Sequence, residues 1–189
     1  MLKKLLVLLV MGLTACQDAY VPKPRAYFRI SFPQKDYAEC RDMKAFEFEK
    51  ATYAHLEQLA APEGQEWVNV STPTNKVDIH LSYETLRKDL DKHLEEARKL
   101  AYDHSIKADA IEEQFYANPA QQVYGMVYRI KGNAASPMQF FLTDSAQNFI
   151  RGAFYVREVP NVDSIQPVID FFESDVVHLI ETFQWTSKK

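Results

Sequence analysis

Three consecutive apolar runs in the middle of the chain constrain its fold more than any other feature. Each has the length of a β-strand, is rich in aromatic and β-branched residues and ends at turn-forming residues: 123–130, 138–142 and 149–156. The connections have about seven residues or fewer, too short for a crossover helix, so neighbouring runs should pair antiparallel as a meander. Both alternating sets of side chains are mostly apolar, which predicts a sheet covered on both faces.

Two amphipathic segments are predicted to form helices that cover this sheet. Residues 86–103 repeat apolar side chains at helical spacing, and residues 165–183 carry a wider apolar stripe. We expect the last helix to lie on one face of the meander and the first helix on the other. Further strands are predicted at 26–32, 46–53 (a half-exposed edge), 67–70, 77–83 and 108–116. The last of these is ambiguous between strand and helix, and the turn that follows it favours a strand. The predicted fold class is α+β, with a mainly antiparallel meander sheet flanked by two helices.

The N-terminus has the features of an export signal. Lys3 and Lys4 precede an apolar stretch, and the sequence that ends at Cys16 is similar to a bacterial lipobox, whose cysteine is acylated with fatty acids such as palmitate. An ordinary signal peptide followed by a chance cysteine is the alternative. Several acyl chains would anchor the protein stably to a membrane. We therefore predict a lipoprotein signal peptide at 1–15, a lipidated tether at 16–25 and a single α+β domain at 26–189.

Charge and cysteine content exclude two classes of protein. The net charge of −4, made more negative when the basic signal peptide is removed, argues against a nucleic-acid partner, which requires a basic surface. With Cys16 lipidated, Cys40 has no intramolecular partner, so a disulfide framework is excluded. Cys40 is predicted to be a small buried side chain; the alternative is a thiol that pairs between molecules.

Catalytic motifs are absent from the sequence. It contains no glycine-rich phosphate loop, no paired-cysteine or zinc-helix motif and no serine-nucleophile elbow, and its five histidines lack metal-ligand spacing. We predict no metal, no cofactor and no enzyme activity. The densest polar run holds His104, Lys107 and Asp109, which are candidates for general acid–base catalysis. The alternative is a helix end followed by a solvated strand face.

The loop after the first meander strand offers a second candidate. Glycine and asparagine adopt positive φ readily, so residues 131–136 could form a nest of N–H groups that binds an anion. The alternative is a plain connecting loop. Lys131 and Asn133 in this loop, together with Tyr27 and Arg29 on the polar side of the predicted first strand, are the candidate interaction residues.

Several long blocks resemble the gliding-motility lipoprotein GldD family of Bacteroidota and together cover nearly all of residues 20–185. They are YVPKPRAYFRISFP, VDIHLSY, IKADAIEEQF, VYGMVYRIKGNAASPMQFFLTDS, FIRGAFYV and NVDSIQPVIDFF. The resemblance transfers a role to only one residue, the lipidated Cys16, and to no catalytic residue. At fold level the pattern is similar, by analogy, to the PsbP/Mog1-like α/β/α sandwich.

The resemblance implies a lipid-anchored accessory protein of the cell envelope that faces the periplasm. It implies a requirement in gliding motility and in the linked type IX protein secretion. The expected partners are other gliding-motility and secretion proteins of the envelope, contacted through protein–protein interaction. Two alternatives remain open at this point: a periplasmic enzyme acting on an envelope component, and a ligand-binding module.

Overall fold

The computed structural model describes residues 30–103, 108–158 and 161–186, which form ten strands and two helices. The strands are β1 (Tyr37–Cys40), β2 (Phe46–Ala51), β3 (His55–Leu59), β4 (Gln65–Thr72), β5 (Val77–Thr85), β6 (Ala108–Asn118), β7 (Val123–Gly132), β8 (Met138–Thr143), β9 (Asn148–Val156) and β10 (Gln184–Trp185). Helix α1 spans Leu90–Tyr102 and helix α2 spans Val162–Thr182. The predicted signal peptide, the tether and the first residues of the predicted domain lie outside the described residues.

A seven-stranded antiparallel sheet forms the centre of the molecule. Its strand order is β3-β4-β5-β9-β8-β7-β6, and every neighbouring pair is antiparallel. Strands β6 to β9 follow one another as a meander, so the predicted meander is confirmed. A second meander, β3 to β5, joins the first where β5 pairs with β9, and α1 carries the chain from β5 to β6 at the far edge. The predicted α+β class with a large antiparallel sheet is therefore confirmed.

Helix α2 and a small second sheet cover one face of the large sheet. Phe172, Val176 and Leu179 of α2 are buried in the main core cluster. The second sheet has the order β1-β2-β10 and adds Phe46, whose ring stacks on Phe183 at 5.5 Å between centroids. The cluster contains inward-facing aliphatic and aromatic residues of β4, β5, β7, β8 and β9. The predicted position of the last helix is confirmed.

Helix α1 covers part of the other face. Its Ala97 and Ala101 pack in a second, smaller cluster with Tyr128, Phe141 and Phe149 of the meander, which confirms the predicted layer. The helix begins at Leu90 rather than at residue 86. Lys88 has a left-handed φ of 66°, and the Arg87 N–H is bonded to the Asp89 carboxylate at 2.8 Å. These residues therefore form a turn before the helix instead of its first turn.

Gly152 in β9 shows how tightly the sheet packs. It lies opposite Phe140 of β8, and a Cβ at this position would come within 2.1 Å of the Phe140 ring. Because Phe140 is itself buried in the core, its ring has no space into which to move. The glycine is therefore required by the close approach of the aromatic ring rather than by a turn.

Several local predictions were wrong. Residues 30–32, the described end of the strand predicted at 26–32, form no strand; instead Phe32 stacks on Phe171 of α2 at 4.5 Å. Residues 26–29 lie outside the described residues. Strand β2 is not an edge, since it pairs with β1 on one side and β10 on the other. Asp78 of β5, a charged residue in an alternating strand, is buried rather than exposed and forms an ion pair with Arg157 at 2.6 Å.

Cys40 is 1% exposed, which confirms that it is a buried side chain. Burial, with a hydrogen bond to Asp42, raises the pKa of the Cys40 thiol to about 11, so the thiol is protonated at neutral pH.

Among the described residues, neither α1 nor α2 is long and apolar enough to span a bilayer.

Candidate protein-interaction surface

Three of the predicted candidate residues meet at one corner of the large sheet, where β6 begins and β7 ends. Asp109 lies beside Gly132, at which a Cβ would come within 2.9 Å of the Asp109 carboxylate. Lys131 forms an ion pair with Glu112, and Asn133 follows in the exposed loop. The structure thus brings Asp109 and the β7–β8 loop together. The other candidates lie outside the described residues: Cys16, Tyr27, Arg29, His104 and Lys107.

The β7–β8 loop uses part of its hydrogen-bonding capacity within the chain. Gly132 has a φ of +101°, as an anion-binding nest would require. However, the Ala134 N–H donates to the Gly132 carbonyl at 2.9 Å, and the Lys131 ammonium already pairs with Glu112. The geometry therefore describes a connecting loop that carries an ion pair to β6.

Strand β6 is the long edge of the seven-stranded sheet. Within the described part of the chain it pairs with β7 alone. It has eleven residues, seven of them exposed. Natural sheets protect their edges with short strands, charged side chains (lysine above all), proline or bulges. Strand β6 contains neither lysine nor proline, and its one register shift lies at its start, between Ala108 and Ala110. Its three carboxylates all precede residue 114, so the outer backbone of residues 114–118 is available for pairing.

On the α1 side of the sheet, side chains of β6 are held by neighbouring groups. Ile111 packs against the smaller core cluster. Glu113 accepts a hydrogen bond from the Tyr102 hydroxyl at 2.8 Å and lies 4.0 Å from the Arg98 guanidinium. Phe115 differs from both, because it is 66% exposed and is the most exposed of the large hydrophobic residues described. An aromatic side chain exposed on an edge strand is available to a partner, and aromatic residues are enriched in protein–protein interfaces.

On the α2 side, a chain of polar contacts connects β6 to the helix. The Gln114 side-chain carbonyl accepts a hydrogen bond from Arg129 Nη1 at 2.5 Å. The Arg129 Nε group in turn binds Glu173 of α2 at 2.5 Å. With the Lys131–Glu112 pair alongside, these contacts order the side chains of the edge before any partner arrives. Such preorganisation lowers the entropy cost of association.

A second polar cluster lies on α2 and serves a different purpose. Asp175 is 7% exposed; it accepts hydrogen bonds from the hydroxyls of Tyr37 at 2.9 Å and Tyr53 at 2.5 Å and pairs with Lys35. The Lys35 ammonium also donates to the Phe171 carbonyl at 2.7 Å. Burial, and then the nearby Asp175 carboxylate, raise the pKa of both tyrosines above their ordinary value. The hydroxyls therefore stay protonated and act as donors. This cluster fastens the segment around Lys35 and Tyr37 to α2.

Open depressions in the surface do not add a catalytic arrangement. One of them, of about 610 Å³, lies between Tyr83, Trp185 and the β8–β9 loop. Its carboxylate, Asp144, is bonded to the backbone N–H groups of residues 146–148. Burial alone would raise the pKa of Asp144, but these hydrogen bonds outweigh it and lower the pKa below its usual value. Asp144 is therefore an ionised acceptor that holds the loop. In the described ranges, no group of three or more His, Cys, Asp or Glu side chains could hold a metal ion.

Sequence reasoning predicted β6 as a strand but missed the importance of Phe115. The strand was inferred from the turn at Asn118-Pro119 that follows it and from the start of the meander just after. The position of β6 at the edge of the sheet is not visible in the local sequence. A usable signal was present nonetheless: two large apolar residues, Ile111 and Phe115, stand in an otherwise polar run without lysine or proline.

Comparison with known proteins gives one clear match. The family model described as gliding motility lipoprotein GldD matches residues 17–185, which confirms the resemblance inferred from the sequence blocks. No curated protein matches the chain significantly.

Proposed function

Because the chain belongs to the gliding motility lipoprotein GldD family, we propose that it acts as a docking protein of the gliding and type IX secretion machinery. Family membership gives it a role associated with gliding motility and makes it a membrane-anchored protein of the cell envelope. The proposal adds three points: it faces the periplasm, it supports secretion as well as motility, and it works by protein–protein interaction rather than by catalysis.

The edge of β6 is the observation that carries this proposal. An exposed strand edge offers a row of backbone donors and acceptors that an extended segment of another chain can pair with. Natural proteins usually block such edges, whereas β6 is long, is uncharged over residues 114–118 and carries an exposed Phe115. The ordered charges around it would hold the edge ready for a partner. We therefore place the main protein contact of this lipoprotein at β6.

Lipidation at Cys16 is the proposed means by which the domain is held at the membrane. A single acyl chain gives only marginal binding, whereas two or more give stable anchoring. The Cys16→Ser variant should remain unprocessed or be mislocalised. The intact mass of the mature wild-type protein tests this directly. A mature form that begins at another residue, or that carries an unmodified Cys16, would refute the proposed anchor.

A matched pair of edge variants tests the docking role. Phe115→Asp places a charge on the exposed aromatic position of β6, and Leu59→Asp does the same on β3, the opposite edge strand, where Leu59 is also exposed. Both are expressed in a strain that lacks the wild-type protein. We expect Phe115→Asp to lose gliding and secretion at normal protein level, and Leu59→Asp to retain both. Normal gliding and secretion with Phe115→Asp would contradict the proposal.

The competing interpretation, an envelope enzyme that uses His104, Lys107 and Asp109, is tested separately. Loss of general acid–base groups lowers the rate of an enzyme by about 10²- to 10⁴-fold, which is enough to abolish gliding and secretion. The combined His104→Ala and Asp109→Ala variant should, under our proposal, glide and secrete nearly as the wild type does. A null phenotype at normal abundance, with partner contacts preserved, would favour the enzyme.

A further inference from the structure

We infer that the β6 edge pairs with β6 of a second copy of this protein, antiparallel and across a two-fold axis at Phe115. This inference rests on the proposed function, because it names the partner that docks on the same edge. Two-fold contacts of this kind use one surface on both molecules, so that surface must be complementary to itself. Strand β6 meets this requirement in the distribution of its charges, in the side chains that would face each other and in its position at the edge of the sheet.

The charges of β6 are divided unequally along the strand. All three of its carboxylates lie in its first half, at Asp109, Glu112 and Glu113, while residues 114–118 are uncharged. Like charges directly opposite each other destabilise a strand pair. Antiparallel pairing of the strand with itself sets the acidic half of each copy against the neutral half of the other. The strand is therefore self-complementary in charge despite being acidic.

The register centred on Phe115 also matches the side chains. Glu112 then faces Asn118 of the second copy, whose amide can donate to the carboxylate, and Glu113 faces the small Ala117. Gln114 faces Tyr116, a pair that can form a hydrogen bond. Phe115 faces its own counterpart, so the most exposed large hydrophobic residue described is covered by an aromatic pair. Each of these contacts occurs twice, except the pair on the axis.

A basic strand from a different protein fits the edge less well. Such a partner would be favoured if the carboxylates of β6 lacked cations. In fact Glu112 pairs with Lys131, and Glu113 has Arg98 at 4.0 Å and the Tyr102 hydroxyl at 2.8 Å. The edge is therefore best matched by an uncharged segment that contains an aromatic residue. Residues 114–118 of β6 in a second copy are such a segment.

The size of the contact sets the conditions under which the dimer forms. The paired segment, 112–118, provides far fewer residues than the roughly 20–30 per side of a standard stable interface. Dimers of a soluble, unlipidated domain should therefore dissociate at low concentration. Anchoring both copies in one membrane raises their effective concentration. The full lipoprotein in its native membrane is thus the form in which the pairing is expected and must be tested.

A disulfide at the proposed axis gives a direct test in that form. Opposed residues of antiparallel strands have Cα atoms about 4.5–5.5 Å apart, which lies within the range that a disulfide spans. Phe115→Cys in native membranes should therefore give a reducible covalent dimer under mild oxidation. Ala110→Cys, on the same exposed strand, is the control. Its two copies would lie about 33 Å apart at about 3.3 Å per residue and should not crosslink. The buried, protonated Cys40 thiol should not compete.

Charge variants at Ala117 test the register. In the Phe115→Cys background, Ala117→Glu places a carboxylate opposite Glu113 of the second copy and should reduce dimer yield several-fold. Ala117→Lys places an ammonium group there and should maintain or increase the yield. Equal yields from the two variants would overturn the proposed register. Absence of a dimer from Phe115→Cys would overturn the pairing itself.

The outcomes separate this inference from the proposed function. If Phe115→Cys crosslinks instead to a gliding-motility or secretion protein of the envelope, the second copy is refuted while docking at β6 stands. If the covalent dimer forms and Phe115→Asp nevertheless glides and secretes normally, the pairing stands and the proposed function of the edge fails. If neither dimer nor phenotype is found, both fail.

Discussion

The Asp175 cluster on α2 and the edge at β6 are built from similar groups placed in opposite environments. Asp175 and Glu112 each pair with a lysine, but the Asp175 side chain is 7% exposed and that of Glu112 is 55% exposed. Asp175 also accepts two tyrosine hydrogen bonds. A buried charge without its partners costs several kcal/mol, whereas an exposed pair contributes about 0–1 kcal/mol. The difference teaches that the first carboxylate maintains the fold, while the second is free to shape recognition.

The same contrast holds for aromatic residues. Phe172 of α2 is 2% exposed and Phe115 of β6 is 66% exposed. Burial of an aromatic side chain in the core stabilises the folded state, whereas exposure contributes little to folding and leaves the ring available to a partner. Truncation of each residue should therefore separate stability from function.

The largest effect is expected for Phe172→Ala. It removes a ring from the centre of the core between α2 and the sheet, and such truncations cost about 3–5 kcal/mol in the free energy of unfolding. Denaturant unfolding of the soluble domain measures this loss. A change below about 1 kcal/mol, the size typical of an average point mutation, would mean that α2 does not rest on the sheet as described.

Asp175→Ala should be the next most damaging change. It leaves the Lys35 ammonium and the hydroxyls of Tyr37 and Tyr53 without their acceptor, at a cost of about 2–3 kcal/mol in unfolding free energy. Asp175→Asn retains an acceptor oxygen and should lose less. The same unfolding measurement compares the two. Equal and small losses would show that the cluster does not fasten the N-terminal segment to α2.

A smaller effect, dependent on pH, is expected at Asp144. Its folded-state pKa lies below its ordinary value because hydrogen bonds from residues 146–148 favour the carboxylate. Its contribution to the free energy of unfolding is therefore complete above the pKa of the unfolded state, about 3.9. This contribution is lost as the pH falls through the lower pKa of the folded state. Asp144→Asn should be less stable than the wild type at neutral pH by about 1 kcal/mol.

The difference between Asp144→Asn and the wild type should also shrink on acidification. Unfolding at a series of pH values from neutral to strongly acidic tests this convergence. A gap that stays constant across that range would show that the carboxylate charge has no part in holding the loop.

The smallest effect on stability is expected for Phe115→Ala, within about 0.5 kcal/mol of the wild type. The ring is largely in water, so its removal exposes little new surface. Gliding and secretion should nevertheless fall in the complemented strain. A loss of stability comparable to that of Phe172→Ala would show that the Phe115 ring is covered in the folded chain. It would contradict the contrast drawn between these two residues.

The sequence by itself determined the features that depend on neighbours along the chain. Alternation, strand length and turn residues are local, so the strands of the meander and the β4–β5 hairpin were predicted close to their observed positions. The stripe of α2 faces the core for the same reason. The signal peptide predicted at 1–15 and the long blocks typical of the family also rest on linear signals.

Only the tertiary structure decided which elements lie side by side. Val77 pairs with Val156, and Phe46 of β2 pairs with Trp185 of β10, residues far apart in the chain. Such pairings depend on how the whole core closes and leave no periodic mark in either segment. They made β2 a central strand of the small sheet, buried Asp78 beside Arg157 and placed β6, with Phe115, at an open edge. The exposure that supports a function for β6 is therefore a property of the strand order rather than of the strand.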